Sequence, residues 1–356
     1  MLDLRRSPSG PFRDGTVVRI EEVLMTTPDP ADAAWTAWHD EEAPIRVGVS
    51  SCLLGAKVRY DGGHKRDRYL TDVIGDWVQW VPVCPEVEVG MPTPRPTIRL
   101  EGSEEVVRLV EPKSREDWTE RMEQWSDGRI DGLMEAQLDG YVLKRASPSC
   151  GMERVKVWSG AGMPAKSGVG VFARVLMDRW PNLPVEEEGR LNDPVLRENF
   201  IVRIFCRHRW RRLLRDGGRR ADLVAYHTAH KMLLQSHNEA GYRRLGRLVA
   251  SLGTRPDEEV LREYEDELFS TLRNRATIKR HTNVLQHAAG YLKRVLDPAS
   301  KAELRALIED YRQGFVPLVV PITLLRHHVH RHGIDYMAGQ LYLEPHPKEL
   351  MLRNRV

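Results

Sequence analysis

Three short apolar runs in the first half of the chain each give way to a cysteine: "IRVGVSSC" leads to Cys52, "WVQWVPVC" to Cys84 and "YVLKRASPSC" to Cys150. Small and β-branched residues make up the runs, and Gly, Ser or Pro bounds them, which is the pattern of short buried strands. Stretches with helical character lie between and after them, in "KRDRYLTDVIGDW", "SREDWTERMEQWSDGRIDGLMEAQLDG" and "GVGVFARVLMDRW". In the second of these, Trp118, Met122 and Trp125 recur at helical spacing behind Ser114 and Asp117 as a cap, predicting a helix pair or one broken helix. Strand and helix in alternation predict an α/β layer with a mostly parallel sheet. The carboxyl ends of parallel strands share one edge, where ligands bind, so the three thiols are expected to converge there.

Four cysteines in 356 residues are too few for a disulfide scaffold, and in a reducing compartment they read as metal ligands, catalytic groups or core fillers. Cys150 sits past its apolar run, in a loop punctuated by Pro148 and Gly151, rather than inside the run as a packed thiol would. Three thiolates without a fourth describe a metal centre with one open position, either zinc or an iron-sulfur cubane with one free iron. Zinc sites of this kind usually contain a paired C-x-x-C spacing, and this chain has none, so the long spacings favour a cluster. Cys206, inside the apolar stripe of "ENFIVRIFCRHRW", reads as core.

After "NLPVEEEGRLNDPVLRENF" strand-like runs nearly vanish, and amphipathic stretches continue to about residue 335. The expected organisation is an extension over 1–43, an α/β domain over 44–190 and an all-α domain over 191–356. Charge divides along the same line. Residues 1–200 carry 26 Lys and Arg against 34 Asp and Glu, a net of −8, whereas residues 201–356 carry 28 against 17, a net of +11. Residues 201–250 alone hold 12 basic and 3 acidic side chains, the footprint of a polyanion-binding surface or of a solvated helix face. Within this block "CRHRWRRLLRDGGRR" mixes His208, Arg209, Trp210, Arg211, Arg212 and Arg215, types suited to phosphate contacts and base stacking. His227 and His230, and the "RHHVHRH" run, have the spacing for a metal but read first as buried or basic segments. No apolar run reaches the roughly 18 residues of a membrane span, and "MLDLRRSPSGPFRD" lacks a signal-peptide core, so a cytoplasmic protein is expected.

The segments "VSSCLLGAKVRYDGGHK", "VCPEVEVGMPTPRP" and "KRASPSCG", in this order, resemble the thiouracil desulfidase family. The following half, with "FCRHRWRRLLRDGG", "YHTAHKMLLQSHN" and "QLYLEPHPKEL", resembles the helical domain often fused behind it. The resemblance implies that Cys52, Cys84 and Cys150 hold a [4Fe-4S] cluster that binds the substrate sulfur at its fourth iron. For the fused architecture it implies non-redox removal of sulfur from 4-thiouridine in tRNA, giving uridine and sulfide. For the catalytic domain alone it implies action on free thiolated pyrimidine bases.

Attack by water calls for a base. Glu86 is the candidate, because an extended Cys-Pro-Glu segment turns Cys84 and Glu86 to one side, with Glu88 as its competitor. Ser147, preferred on the family pattern, and Ser149 are candidates to donate to substrate or relay a proton; loop capping is their ordinary role. Tyr60, Asp61 and Arg95 are expected to line the pocket, Asp61 at the pyrimidine edge and Arg95 at a phosphate, although either can equally stabilise its own turn. Two other readings stay open: a desulfidase for free bases or nucleotides whose helical half dimerises, and a non-catalytic cluster protein that binds RNA or regulates.

Overall fold

The computed structural model describes residues 38, 43–103, 106–159 and 162–354. The expected extension over 1–43 falls outside the described residues except at Trp38 and Ala43. Eight strands follow in chain order: β1 (Arg46–Ser50), β2 (Gln79–Val83), β3 (Arg99–Gly102), β4 (Val107–Val110), β5 (Gly140–Leu143), β6 (Val155–Trp158), β7 (Ala165–Gly168) and β8 (Val185–Glu187). The first half also has helices α1 (Pro85–Glu88), α2 (Thr119–Glu135) and α3 (Val171–Arg179). The second half is built from α4 (Pro194–Arg215), α5 (Arg220–His237), α6 (Glu239–Ala250), α7 (Asp257–Arg273), α8 (Ile278–Tyr291), α9 (Pro298–Gln313), α10 (Val319–Arg331) and α11 (Asp335–Ala338).

One sheet has the order β2-β1-β5-β8 and is parallel throughout. The chain passes from β1 to one neighbour, β2, and later returns to the other, β5, so the direction of winding reverses at β1. Ligands bind at the crevice such a reversal opens beyond the carboxyl ends. β5 and β8 are buried along their whole length, as parallel strands covered on both faces are. On one face α2 and α3 bring Ile130, Leu133, Phe172 and Leu176 against Tyr141 and Leu143. Close packing sets the sequence here: a Cβ on Gly48 in β1 would overlap the Tyr141 ring.

α4 covers the other face and is buried on nearly every side from Asn199 to Trp210. Ile201, Ile204 and Phe205 join the core of Val47, Val49 and Val142. Val202, Cys206, Trp210 and Leu213 join the core of the helical half, with Leu223, Tyr226, Tyr264 and Leu268. A helix with two opposed apolar stripes is a buried helix. Cys206 is accordingly core, as its place in the sequence suggested.

A second, mixed sheet, β4-β3-β6-β7, was not foreseen. Its strands are four residues long and two of them, "RLEG" and "AKSG", lack an apolar alternation. The expected helix after β1 reduces to one wide turn at Leu70–Ile74. The expected broken helix is the single α2, which starts at Thr119, behind the Ser114 cap; Asp117 accepts from the Thr119 N–H at 2.9 Å. Asp297 caps α9, accepting from the N–H groups of Ala299 and Ser300 at 2.8 and 2.9 Å.

The direction of α4 positions everything else. β8 ends at the carboxyl edge of the parallel sheet, and Asp193, six residues later, caps α4. From there α4 runs back for about 33 Å. Near its far end, Arg211 donates to both carboxylate oxygens of Asp139, at 2.7 and 2.8 Å. Asp139 immediately precedes β5 and lies at the amino edge. The amino half of α4 therefore shares an edge with the cysteines, and its arginine-rich end does not.

Candidate metal centre

Cys52, Cys84 and Cys150 line one cleft at the carboxyl ends of β1, β2 and β5. Each arrives there differently. Cys52 sits in a single turn, Ser51–Leu54, closed by Gly55, whose φ of 98° is one that favours glycine. The Cys52 carbonyl accepts from the Gly55 and Lys65 N–H groups at 3.3 and 2.9 Å. Cys84 directly follows β2, and Pro85 starts the short helix α1. Cys150 sits in a loop docked on the amino end of α3: the Gly170, Val171 and Ala173 N–H groups donate to the carbonyls of Gly151, Pro148 and Ser149 at 2.7, 3.1 and 3.1 Å. Ser147 Oγ accepts from the Cys150 N–H at 3.2 Å and from the Ser149 N–H at 3.3 Å.

Burial keeps the thiols protonated. It raises Cys52 to about 11, with Cys84 adding to the effect and Lys144 opposing it. Burial also raises Cys84 and, most strongly, Cys150, where Glu86 and the other two thiols add to it. Cys84 donates weakly to the Val58 carbonyl, at 3.9 Å. Three desolvated thiols, with Cys84 raising Cys52 and both raising Cys150, are a donor set that a thiophilic metal stabilises by replacing the protons. Among the described residues no trio of His, Cys, Asp and Glu forms a site for a single metal ion. A cluster makes no such demand, since it spreads its thiolates over separate irons.

Glu86 lines the same cleft. The reason given for it from sequence is corrected: Cys84 to Glu88 is a helical turn, not an extended segment. Arg95 holds Oε2, with Nε at 3.0 Å and Nη2 as a second donor. Oε1 faces the serines, accepting from Ser149 Oγ at 2.6 Å, with Ser147 Oγ at 3.5 Å. The two serine oxygens are 2.9 Å apart. Since Ser149 spends its proton on Glu86, the Ser147 hydroxyl is left to donate to Ser149, giving a path Ser147 to Ser149 to Glu86. Glu88 faces away, accepting from the Cys84 N–H at 2.9 Å and from Arg129 at 3.0 Å.

Other expectations change. The Arg95 side chain is buried and also donates to the Val58 and Pro92 carbonyls, at 3.0 and 3.3 Å, so it orients Glu86 and is closed to a phosphate. Asp61 does not line the cleft; its carboxylate accepts from the Gly63 N–H at 3.0 Å and stabilises its own turn. Tyr60 lines the cleft and is exposed, as expected of a side chain that meets substrate. Lys144 and Arg59, which sequence reading missed, also line the cleft, as does Ser50. Lys144 ion-pairs with Glu188, and its N–H donates to Ser50 Oγ at 3.0 Å. The available signal for Lys144 was position, since it directly follows β5.

The proposed RNA contacts on α4 are corrected most. His208, Arg209 and Trp210 are interior, with 2, 2 and 1% of their surfaces exposed. Trp210 stacks on Tyr264 at 5.4 Å, and Arg209 donates to the Pro345 carbonyl. Interior groups meet neither phosphate nor base. Arg211 is engaged with Asp139, and Arg212 and Arg215 both lie against Asp216, all at the edge away from the cleft. Of the noted histidines, His230 is buried against Tyr226 and His227 packs between Tyr242 and Tyr264.

A family model described as 2-thiouracil desulfurase matches residues 47–188, a span holding the three cysteines, Glu86 and both serines. A model described as a protein of unknown function (DUF1722) matches residues 231–347. The uncharacterized protein YbgA of Escherichia coli (strain K12) is 31% identical over 158 residues, 44% of this chain and 94% of its own length. The uncharacterized protein YbbK of Bacillus subtilis (strain 168) is 31% identical over 150 residues, 41% of this chain and 97% of its own. The solved structure of a [4Fe-4S]-dependent thiouracil desulfidase, TudS, is 30% identical, covers 42% of this chain and 94% of that one, and has a TM-score of 0.36.

Proposed function

The chain belongs to the 2-thiouracil desulfurase family through its first half and carries a DUF1722 region in its second, and on that premise we propose that it replaces the sulfur of 4-thiouridine in tRNA by oxygen. The overall change is C=S plus water to C=O plus hydrogen sulfide, with no net redox. One observation carries the reading: three thiols, two buried and one half-buried, from three adjacent strand ends share a cleft with an oriented carboxylate.

Cys52, Cys84 and Cys150 are the residues that would hold a [4Fe-4S] cluster, and their number leaves it one protein ligand short. Bound there, the cluster would supply a Lewis acid for the thiocarbonyl sulfur. The protein does the rest. Glu86 Oε1 removes a proton from the water directed at the ring carbon, while Arg95 fixes Oε2 so that Oε1 stays aimed at the cleft. Ser147 and Ser149 pass protons between the cleft and Oε1. Tyr60 lies over the opening as a surface for the pyrimidine ring.

The choice of tRNA rests on the charge division. The first 200 residues carry a net of −8, with −2 on residues 44–190, and offer a polyanion no attraction, whereas residues 201–356, with a net of +11, can retain one. In this reading residues 44–190 perform the chemistry and 191–356 hold the RNA. Among the described residues no helix is long and apolar enough to cross a membrane. The test is chromatography of nucleosides from tRNA treated with anaerobically reconstituted protein. Loss of 4-thiouridine with matching gain of uridine supports the proposal. Turnover of free thiopyrimidines alone makes the substrate a base or nucleotide, and no turnover of either leaves a cluster protein without this activity.

A further inference from the structure

A cavity of about 790 Å³ lies in the helical half, outside the cysteine cleft. That is in the range of nucleotide-sized ligands. Its walls are the amino half of α4, the α7–α8 connection, the turn between α9 and α10, and the end of the chain. Four arginines line it, Arg273, Arg275, Arg280 and Arg353, against a single carboxylate, Glu198. Arg353 takes up that carboxylate at 2.9 Å. Arg273 donates to the Pro181 carbonyl and Arg280 to the Arg275 carbonyl, the latter at 3.1 Å. No carboxylate among the described residues pairs with Arg275 or Arg280, in a chain where most arginines have such a partner. His237 and His281 also line the wall and use Nδ1 inside the protein, towards the Asn274 carbonyl at 2.6 Å and Tyr342 Oη at 3.0 Å.

An exposed aromatic residue adjoins the lining in sequence. Phe315 is 74% exposed, the most exposed of the described aromatic residues, and its neighbours Gly314 and Val316 both line the cavity. Unneutralised guanidinium groups beside an exposed ring make a pair of contacts for a phosphate and the base attached to it. The cavity is also at the appropriate end of the molecule. Glu198, Asn199 and Val202 come from the amino half of α4, which starts at the carboxyl edge of the parallel sheet. Leu352 lines the cavity and packs in the same core as Cys52 and Leu53.

We propose that this cavity is a second nucleotide-binding subsite, in which Arg275 and Arg280 hold a phosphate and Phe315 stacks on its base. It rests on the tRNA reading only for the source of that nucleotide: a residue of the RNA strand other than the thiolated one, or a free mononucleotide.

The test uses the full-length protein and fluorescence anisotropy with a labelled, unthiolated oligoribonucleotide, alongside calorimetry with adenosine monophosphate. Arg275→Ala/Arg280→Ala is expected to weaken RNA binding tenfold or more and to flatten its salt dependence, and Phe315→Ala to weaken it at least fivefold. Arg262→Ala on the exposed face of α7 is the control, expected to bind as wild type, and free thiopyrimidine turnover is expected to be unchanged in all three. RNA affinity equal to wild type in both cavity variants overturns the subsite while leaving tRNA as the substrate. Binding of the mononucleotide but not of RNA, lost in the double variant, upholds the subsite and removes the RNA reading. Absence of binding to either probe by wild type overturns the subsite.

Discussion

Ser149 Oγ donates to Glu86 Oε1 across 2.6 Å, joining the loop that carries Cys150 to the helical turn that follows Cys84. A proton-accepting oxygen is thereby fixed between two of the three thiols, and its mate Oε2 is fixed from behind by Arg95. The carboxylate has little freedom except to exchange the serine proton for one from water.

Glu86→Gln keeps the shape and removes the base that the proposed function requires. We expect kcat to fall by about 10²- to 10⁴-fold while iron content stays at the wild-type level, measured by single-turnover kinetics beside metal analysis. Ser149→Ala is expected to lower kcat more than Ser147→Ala, because only Ser149 is in close contact with Glu86. Equal effects of the two serines would remove the relay order.

Arg95→Met leaves the Glu86 carboxylate without its buried partner. Breaking such a pair costs about 3 kcal/mol, read as a lower midpoint in urea. Combining Arg95→Met with Glu86→Gln is expected to recover part of that loss, since no unpaired charge is left. An additive double variant would show that Arg95 acts through its backbone carbonyl contacts alone.

Arg211 is a structural tie and not an RNA contact. Asp139 is fully buried and also accepts from the Arg46 N–H at 2.9 Å, so Arg211→Ala strands a carboxylate at the start of β5. The expected result is a loss of about 3 kcal/mol in stability, with RNA affinity, in the fraction that folds, unchanged in anisotropy titrations. A loss of affinity without a loss of stability would return α4 to the RNA surface.

How much of this was legible in sequence follows from what each element is made of. β1, β2 and β5 announce themselves because short apolar runs end abruptly at glycine, serine or proline, and the cysteines just beyond them fall on one edge. β8 reads "VEE", and its glutamates are tolerated inside because Arg190 pairs with Glu186 at 2.5 Å and the Met152 N–H donates to Glu187 at 2.8 Å. Arg190 lies only four residues from Glu186, but the Met152 partner is tertiary and invisible in the string. α4 misled for the same reason. Its arginines look like a polyanion surface, but Arg203, Arg207 and Arg209 lie between two cores, with Arg207 donating to the Leu138 carbonyl at 3.1 Å. The cationic groups that do face a cavity, Arg275 and Arg280, belong to a shorter basic stretch, "RNRATIKRH", which the longer arginine block of α4 overshadowed.

Acid is expected to unfold the helical half first. Burial lowers His237 to about 4 and His346 to about 3, so both stay neutral in the folded chain where the unfolded chain, near 6.5, already binds protons. The unfolded state takes up more protons below pH 6.5, and stability falls as pH falls. Each histidine contributes up to about 1.4 kcal/mol per pH unit until its folded value is reached. Urea midpoints from pH 7 to pH 4.5 should decline steadily in wild type and less steeply in His237→Gln. A flat profile would contradict the burial of these rings.

The central claim is that three thiols converge on one cluster. Iron and acid-labile sulfide analysis of anaerobically reconstituted protein, with visible absorbance as a second readout, tests it for each cysteine separately. The account predicts that Cys52→Ala, Cys84→Ala and Cys150→Ala each lose the cluster and its colour, while Cys206→Ala keeps the wild-type complement. Full cluster content in any one of the first three, or its loss only in Cys206→Ala, would contradict it.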